Sequence, residues 1–470
     1  MKRTKIVSTI GPATSAPERL RAIIDAGTDV VRLNFSHGTL EEHGRLIKDT
    51  RSISETIGRP VAVLQDLAGP KVRTGAIGEG PVELVPGATF TLTTRDVIGD
   101  ANGASITYPG LTGDVRPGDA LLLGDGAIEL VVEDATDAEI VCRVVVGGRL
   151  DSHKGVNVPS RSLSAPALTD KDRLDLEFGL ARCVDYVALS FVRSADDVRE
   201  ARGLIGADGR DVGLIAKIER RAALEAIDEI LAEVDGIMIA RGDLGVEIPI
   251  EEIPTAQKTL IAKANVAGKP VITATQMLGS MVGNPRPTRA EATDVANAIL
   301  DGSDAVMLSE ETAVGEYPVE AVRTMRRIAD EAESIFPFDA WTSKFAGGPS
   351  AGVEAAVAHS ACRLADEVGA GAIVTFTRSG STARLVARHR PSRPILGLTS
   401  DPDTYRRLAL VWGVLPLRTE AAEDLDEIER AALGAARNSG LVRPGQPVVI
   451  TAGYPIPVRG TTNLIKVAVV

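Results

Sequence analysis

The chain has 470 residues, 44% hydrophobic and 25% charged. That is an ordinary globular composition; it excludes a disordered or collagen-like polypeptide and leaves room for two to four domains at roughly 150 residues each. Lysine and arginine number 52 against 64 aspartates and glutamates, so the net charge of −12 argues against a nucleic-acid coat and a polybasic membrane anchor. Any anionic ligand must therefore meet a local basic cluster. Three cysteines, Cys142, Cys183 and Cys362, are too few and too scattered for a disulfide framework or a thiolate metal site. A strand-like run begins almost at Met1 and no stretch of about 18 apolar residues follows, which reads as a soluble cytoplasmic chain with no membrane partner.

In chain order, Lys5–Ile10 is a short β-branched run, Ala16–Ala26 has helical spacing ended by Gly27, and Val30–Asn34 is a second apolar run, together a βαβ unit. A helix over Leu40–Ile57 and a strand over Val61–Asp66 follow. After an interruption come strand-like runs at Tyr186–Ser190, Gly213–Lys217, Gly236–Ala240, Val271–Thr275 and Ala305–Ser309. Helices are expected between and after them at Ala195–Ile205, Arg220–Leu231, Ile253–Ala267, Arg289–Leu300 and Pro318–Ile335. Such alternation predicts parallel strands with right-handed crossovers. Eight units are the count that closes a (β/α)8 TIM barrel, whose reactive groups gather at the carboxyl ends of the strands.

Those ends carry Arg32, Asn34, Ser36, Asp66, Ser190, Lys217, Glu219, Arg241, Asp243, Thr275, Gln276, Ser309 and Glu310, whereas the amino ends hold mostly Gly, Pro and spacer residues. Charged and hydroxylic groups at one rim of an apolar barrel are costly to bury unless they bind each other or a ligand. The interruption, residues 69–166, has short β runs at Val82–Leu84, Thr89–Thr94, Ala120–Leu123, Ile128–Val132 and Ile140–Val146, punctuated by Gly, Pro and Asp. It reads as a small β-barrel domain set into the larger barrel of residues 1–68 and 167–337. Its two linkers, with Pro70 and Pro166 as hinge candidates, suit a lid over the active rim; an inert insertion is the plain alternative. A low-periodicity stretch through Trp341, Gly347, Gly348 and Pro349 reads as a linker. Residues 350–470 then alternate helix and strand as an open, mostly parallel α/β sheet domain.

Lys217 and Glu219 are two apart in an extended strand and share a face. Glu219 and Asp243 could supply two oxygens to one Mg²⁺, the rest of the octahedron coming from water and substrate; a Lys217–carboxylate salt bridge is the structural alternative. Arg241-Gly242-Asp243 reads as a turn whose N–H groups can meet a carboxylate. The five histidines, His37, His43, His153, His359 and His389, show no zinc-ligand spacing. There is no GxSxG elbow, Walker loop or kinase Gly-rich loop. Arg32, Arg73, Lys154 and Lys217 could instead converge on a polyphosphate, and cations gathered without a nucleophile suit phosphoryl transfer.

Thr4-Lys5-Ile6-Val7-Ser8-Thr9-Ile10-Gly11-Pro12, Val31-Arg32-Leu33-Asn34-Phe35-Ser36-His37-Gly38, Ile215-Ala216-Lys217-Ile218-Glu219, Ala240-Arg241-Gly242-Asp243-Leu244-Gly245, Ala274-Thr275-Gln276-Met277-Leu278 and Pro285-Arg286-Pro287-Thr288-Arg289-Ala290-Glu291 together resemble pyruvate kinase motifs, in the family's order and across essentially the whole chain. The resemblance implies an allosteric, homotetrameric enzyme of glycolysis that moves the phosphoryl group of phosphoenolpyruvate to ADP, giving pyruvate and ATP. It implies Mg²⁺ on Glu219 and Asp243, with Lys217 stabilising the transferring phosphoryl group and the enolate. Thr275 and the backbone of Ala240, Arg241 and Gly242, with Asp243, would bind the carboxylate end of the substrate. Arg32 and Arg73 would contact phosphates, and Asn34, Phe35, Ser36, His37, Pro70, Asp125 and Lys154 match nucleotide-side positions. Ser309 is a candidate for the proton relay to the enolate.

Asn34, Ser36, Asp66 and the backbone of Leu67 match the family's K⁺ ligands, yet Lys71 stands where K⁺-requiring members carry Glu. A fixed ammonium in that place predicts activity without K⁺. Thr377, Arg378, Ser379, Gly380, Ser381 and Thr382 resemble the family's effector phosphate loop, which implies binding of a sugar phosphate or a nucleotide monophosphate such as AMP. Two other functions suit parts of the chain: a Mg²⁺-dependent lyase working through pyruvate enolate, and a metabolite sensor with the barrel as scaffold. The first leaves Arg73 and Lys154 without a task, and the second leaves the filled turnover positions unexplained.

Overall fold

The computed structural model describes residues 2–78, 80–159, 164–344, 352–454 and 461–470; Gly347, Gly348 and Pro349 of the expected linker lie outside them. Eight parallel strands, Lys5–Thr9, Val30–Asn34, Ala62–Asp66, Tyr186–Leu189, Gly213–Ile218, Gly236–Ala240, Val271–Ala274 and Ala305–Leu308, form a closed barrel. Each strand pairs with its neighbours in chain order, and the ring closes where Lys5 lies opposite Ala305.

Strand alternation then decides what faces inward. Val7, Val30, Ala62, Leu64, Tyr186, Ala188, Ile215, Met238, Ile272, Ala274, Ala305 and Met307 fill the interior, while Ile6, Val31, Val63, Val187, Leu214 and Ala216 pack outward against the helices. The same parity carries Arg32, Asp66, Ser190, Lys217 and Glu219 inward above the apolar layers. Helix Leu40–Ile57 opens on a Thr39/Glu42 capping box and Arg289–Leu300 on a Thr288/Glu291 one.

The floor of the barrel is closed by the C-terminal domain. Ala409 and Leu410 are buried in the interior cluster, the Tyr186 hydroxyl donates to the Arg407 carbonyl (2.8 Å), and Arg406 pairs with Asp185 (2.8 Å). Lys5, inward-facing at the bottom of the first strand, donates to the Val414 carbonyl (2.7 Å).

In the insertion, six strands run in the order Val156–Asn157, Ala120–Leu123, Ile128–Ala135, Glu139–Val146, Thr89–Thr93, Gly103–Ser105. Both edges are bridged by one segment, through Arg73 with Gly155 and Thr74 with Ile106, which bends the sheet round into a small barrel. Val82–Leu84 pairs with Gly148–Leu150 beside it. The C-terminal sheet runs Val414–Arg418, Ile395–Thr399, Ala372–Phe376, Pro447–Gly453, Thr462–Val469, with only the last pairing antiparallel. Among the described residues, no helix is long and apolar enough to cross a membrane.

Several local expectations are corrected. The helix expected over Arg220–Leu231 is two, Arg221–Glu225 and Ile227–Glu233, broken at Ala226. Asp170–Ala181 is a helix that periodicity does not reveal, because its inner face mixes Asp172 and Asp175 with Leu176 and Leu180. Phe338–Lys344, expected as linker, is helical, and Trp341 on it is buried near Phe336, at 5.3 Å between ring centroids.

Burial lowers the Lys5 pKa from 10.5 to about 8, against the partial relief given by Asp29. Between those values the unfolded chain holds a proton that the folded one has lost, so this residue's contribution to stability rises with pH. Thermal unfolding of the wild type and Lys5→Met should therefore diverge in the wild type's favour from pH 8 to 10.5, by roughly 3 kcal/mol in total. A difference that stays flat across that window would refute the assignment.

Candidate active site

Above the apolar layers, inward parity brings four charges together. Arg32 Nε lies 2.6 Å from Asp66 Oδ2, and its Nη1 donates to Thr9 Oγ1 (2.9 Å). Lys217 Nζ is 3.3 Å from Asp66 Oδ1, 2.8 Å from Glu219 Oε1 and 2.7 Å from Ser190 Oγ. Ser190 in turn donates to the Leu67 carbonyl (2.7 Å), and Glu219 Oε2 accepts the Phe191 N–H (2.8 Å). All four charged side chains are buried.

Burial opposes every one of these charges, and the neighbours decide the outcome. For Asp66, Arg32 and Lys217 outweigh desolvation and hold the carboxyl below its usual range. Asp66 and Glu219 likewise outweigh it for Lys217, whose ammonium is held above its usual range. For Glu219 burial wins, aided by the charge of Asp243, and the carboxyl is pushed up despite Lys217. The salt bridge foreseen as the alternative to metal binding is thus formed.

The expected turn at Arg241-Gly242-Asp243 is instead the first turn of a helix, Arg241–Glu247, whose opening backbone N–H groups have no intrahelical acceptor. The Arg241 side chain turns away, donating to the carbonyls of Ala274 (3.3 Å) and Thr275 (2.8 Å) and pairing with Asp294 (2.7 Å). It braces the loop after strand seven and leaves only its backbone for a ligand. Thr275 stands there at φ +69 and Gln276 at φ +54. A β-branched residue in that region costs about 1–3 kcal/mol. Thr275 Oγ1 accepts the Gly242 N–H (2.8 Å), which ties the strained loop to the helix start.

Asp243 Oδ1 is 3.5 Å from Lys71 Nζ. Among the described residues no three His, Cys, Asp or Glu side chains form a metal cage. The two hard carboxylates fit a divalent cation that completes its shell with water and substrate oxygens, and such a charge would relieve the strain that burial and Asp243 place on Glu219.

The remaining expected residues divide by position. Asn34 is half-buried; Ser36 and His37 are exposed at the end of strand two. The Phe35 ring is buried in the outer core, so the side chain of this residue packs between half-buried Asn34 and exposed Ser36. On the insertion, Arg73 donates to the His153 carbonyl (3.2 Å) next to exposed Lys154, and exposed Asp125 and half-buried Lys71 flank Gly155. Both linkers are pinned to the barrel beside Pro70 and Pro166: the Gly69 N–H donates to Asp172 (3.0 Å), and Arg193 donates to the Ala165 carbonyl (2.9 Å). Gly69, at φ +66, cannot be replaced cheaply, since a Cβ would sit 2.7 Å from the Phe191 ring.

Ser309 N–H donates to Glu311 Oε2 (2.7 Å), and the other oxygen of this buried carboxylate takes the Leu278 N–H (3.0 Å). Glu311 and the role of Ser190 escape sequence reasoning. Ser190 is already placed at the rim, and parity, four residues beyond inward Tyr186, could have aimed it at Lys217; Glu311 lies past a strand end, where alternation no longer applies.

In the C-terminal domain, strand Ala372–Phe376 leads through residues 377–380 into helix Ser381–Arg388. Thr377, Arg378, Ser379, Ser381 and Thr382 line a cavity of about 370 Å³, and Gly380 makes the turn at φ +80. Thr404 Oγ1 donates to the Arg378 carbonyl (2.9 Å), and Arg384 to the Ser379 carbonyl (3.2 Å).

The chain matches the family models for the pyruvate kinase barrel domain over residues 1–322 and the pyruvate kinase alpha/beta domain over residues 355–468. It is 49% identical to a pyruvate kinase of Geobacillus stearothermophilus over 472 residues, covering 100% of this chain and 80% of the relative. It is 43% identical to that of Clostridium acetobutylicum, covering 100% of both chains, and 44% identical to that of Thermotoga maritima, covering 99% of both. A closed parallel barrel with a buried lysine among carboxylates at its carboxyl rim, two matching family models and full-length identity of this order lead to one assignment: the chain belongs to the pyruvate kinase family and is a phosphotransferase.

Proposed function

We propose that the barrel rim transfers the phosphoryl group of phosphoenolpyruvate to ADP, with Mg²⁺ held by Glu219 and Asp243. The observation that carries this is Lys217, a buried ammonium fixed by Asp66, Glu219 and Ser190. Transfer of the phosphoryl group leaves an enolate, and a positive charge already oriented in a dry site stabilises it without reorganisation. Arg32, braced by Asp66 and Thr9, presents its cation to the phosphoryl oxygens beside Lys217. Thr275 and the N–H groups opening helix Arg241–Glu247 take the substrate carboxylate, and the strain at Thr275 is the mark of a loop held for that task. Bound Mg²⁺ would offset the negative charge on the transferring oxygens.

On the nucleotide side stand Asn34, Ser36, His37, Pro70, Arg73, Asp125 and Lys154, those on the insertion being carried over the rim as a lid. Ser309, oriented by Glu311, is the candidate relay for the proton that converts enolate to pyruvate. The division into residues 1–68 with 167–337, 69–166, and 350–470 belongs to this proposal. So do cytoplasmic operation and a homotetramer, both carried by the family resemblance.

Asp66 already faces Arg32 and Lys217, so a monovalent cation there would meet two fixed positive charges. With Lys71 as a further fixed ammonium, K⁺ becomes dispensable. The 377–382 loop offers hydroxyls, Arg378 and a helix start to a phosphorylated effector, which would shift the activity of the barrel.

Purified protein should form pyruvate from phosphoenolpyruvate only with ADP and Mg²⁺ present, and Lys217→Ala should lose roughly 10²–10³-fold in kcat. Pyruvate made without ADP would point to the lyase instead. Turnover in K⁺-free buffer should match that with K⁺ added; a many-fold loss would overturn the role given to Lys71. Activation by a sugar phosphate or AMP should disappear in a Ser379→Ala, Ser381→Ala double variant while basal turnover persists, and an unchanged response would place the effector elsewhere.

A further inference from the structure

The segment bearing Asn34, Ser36 and His37 is held from beneath by groups that take no part in the chemistry. Phe35 N–H donates to the Asp66 carbonyl (2.9 Å), and Lys171 Nζ donates to the Phe35 carbonyl (2.9 Å). Asn34 takes both following N–H groups, Ser36 on its Oδ1 (3.1 Å) and His37 on its carbonyl (3.2 Å). These bonds fix residues 34–36 and leave the His37 carbonyl for another partner.

That partner is His43, in the first turns of helix Leu40–Ile57 and only 7% exposed. Its ring stacks on Phe35 at 4.0 Å with 13° between planes, and its Nε2 is 2.9 Å from the His37 carbonyl oxygen. A carbonyl only accepts, so Nε2 carries the hydrogen and the neutral ring leaves Nδ1 bare. Nδ1 is buried with no partner among the described residues. Burial keeps the ring neutral by pushing its pKa below the ordinary value, against the opposing effect of the bond to His37. An imidazole with one nitrogen committed to a loop carbonyl and the other sealed from solvent is no proton carrier, and a hydrocarbon would fill the same space without the cost of burying polar nitrogens.

We propose that His43 is a positioning residue for the nucleoside diphosphate: its Nε2–H fixes the His37 carbonyl, and its ring fixes Phe35, so that Asn34, Ser36 and His37 face the nucleotide in one arrangement. This rests on the assignment of residues 34–37 to the nucleotide side. Without the brace the nucleotide must order the segment as it binds, a cost that falls on ADP and leaves phosphoenolpyruvate untouched.

Steady-state kinetics on the full-length enzyme test this with variants chosen to separate donor from ring. His43→Phe keeps the stack and removes the donor, and His43→Leu removes the donor and the ring together. Each should raise the ADP KM on the order of tenfold, with the phosphoenolpyruvate KM and kcat within about twofold. His43→Gln, whose amide can donate to the same carbonyl, should recover most of the loss, and it reports even where an apolar variant fails to fold. Both KM values rising together, an unchanged ADP KM, or a Gln variant no better than Phe would overturn the proposal. His37→Ala separates the two levels: if it leaves the ADP KM unchanged, the nucleotide-side assignment falls and His43 with it. If it raises the ADP KM while His43→Phe does not, the positioning role alone falls.

Discussion

The structure turns on one buried chain of charges, Arg32–Asp66–Lys217–Glu219, set across strands two, three and five at the top of the barrel. Each ion taken from water costs several kcal/mol, and mutual attraction repays this only where geometry is close and the leftover donors and acceptors are met. Here Thr9, Ser190 and the Phe191 N–H meet them. Two cations and two anions balance, yet they do not balance evenly. Asp66 is shared by both cations, whereas Glu219 has one, plus the repulsion of Asp243. The unspent negative charge therefore lies on the Glu219 and Asp243 side, where a divalent cation fits, and the positive groups are left facing the space in which phosphate oxygens would gather.

Such a layer needs a barrel whose register does not slip, since moving a strand by one residue would exchange inward Lys217 for outward Ala216. Ring closure supplies that constraint from the sides, and the C-terminal domain supplies it from below. Leu410 and Ala409 complete the interior, and the segment they belong to also touches the 377–382 loop through Thr404. Helix Pro402–Arg407 thus stands between the cavity of one domain and the floor of the other.

Much of this is legible in the sequence because β alternation is a local rule. Ile215, Lys217 and Glu219 read as one face whatever the rest of the chain does, and the eightfold alternation of strand and helix implies closure. What local patterning misses has physical causes of the same kind. Helix Asp170–Ala181 buries carboxylates that pair with groups far away in sequence, Lys171 with Asp175 being the exception, so no apolar stripe appears. Motif membership says nothing about which way a side chain points, and the Phe35 ring turns into the outer core. Arg241 reads as a rim cation, but its guanidinium is consumed by two carbonyls and Asp294. A residue's type is visible in the sequence, and its remaining hydrogen-bonding capacity is not.

The two sides of the site are held by different physics, and this follows from what each must do. On the side proposed for phosphoenolpyruvate, buried ion pairs hold charges that must not move as an enolate forms; electrostatic fixing in a dry site suits that demand. On the side proposed for the nucleotide, Ser36 and His37 are exposed, where ion pairs are screened and worth little. Rigidity there comes mainly from neutral contacts beneath: an aromatic stack and the hydrogen bonds from His43 to the His37 carbonyl and from the Phe35 N–H to the Asp66 carbonyl, which salt screens little. Asp66 joins the two regimes, since its carboxylate anchors the charged layer and its carbonyl takes the Phe35 N–H that starts the neutral one. A displacement of strand three would therefore disturb the contacts proposed for both substrates at once, whereas a fault confined to the ring of His43 can disturb only those on the proposed nucleotide side.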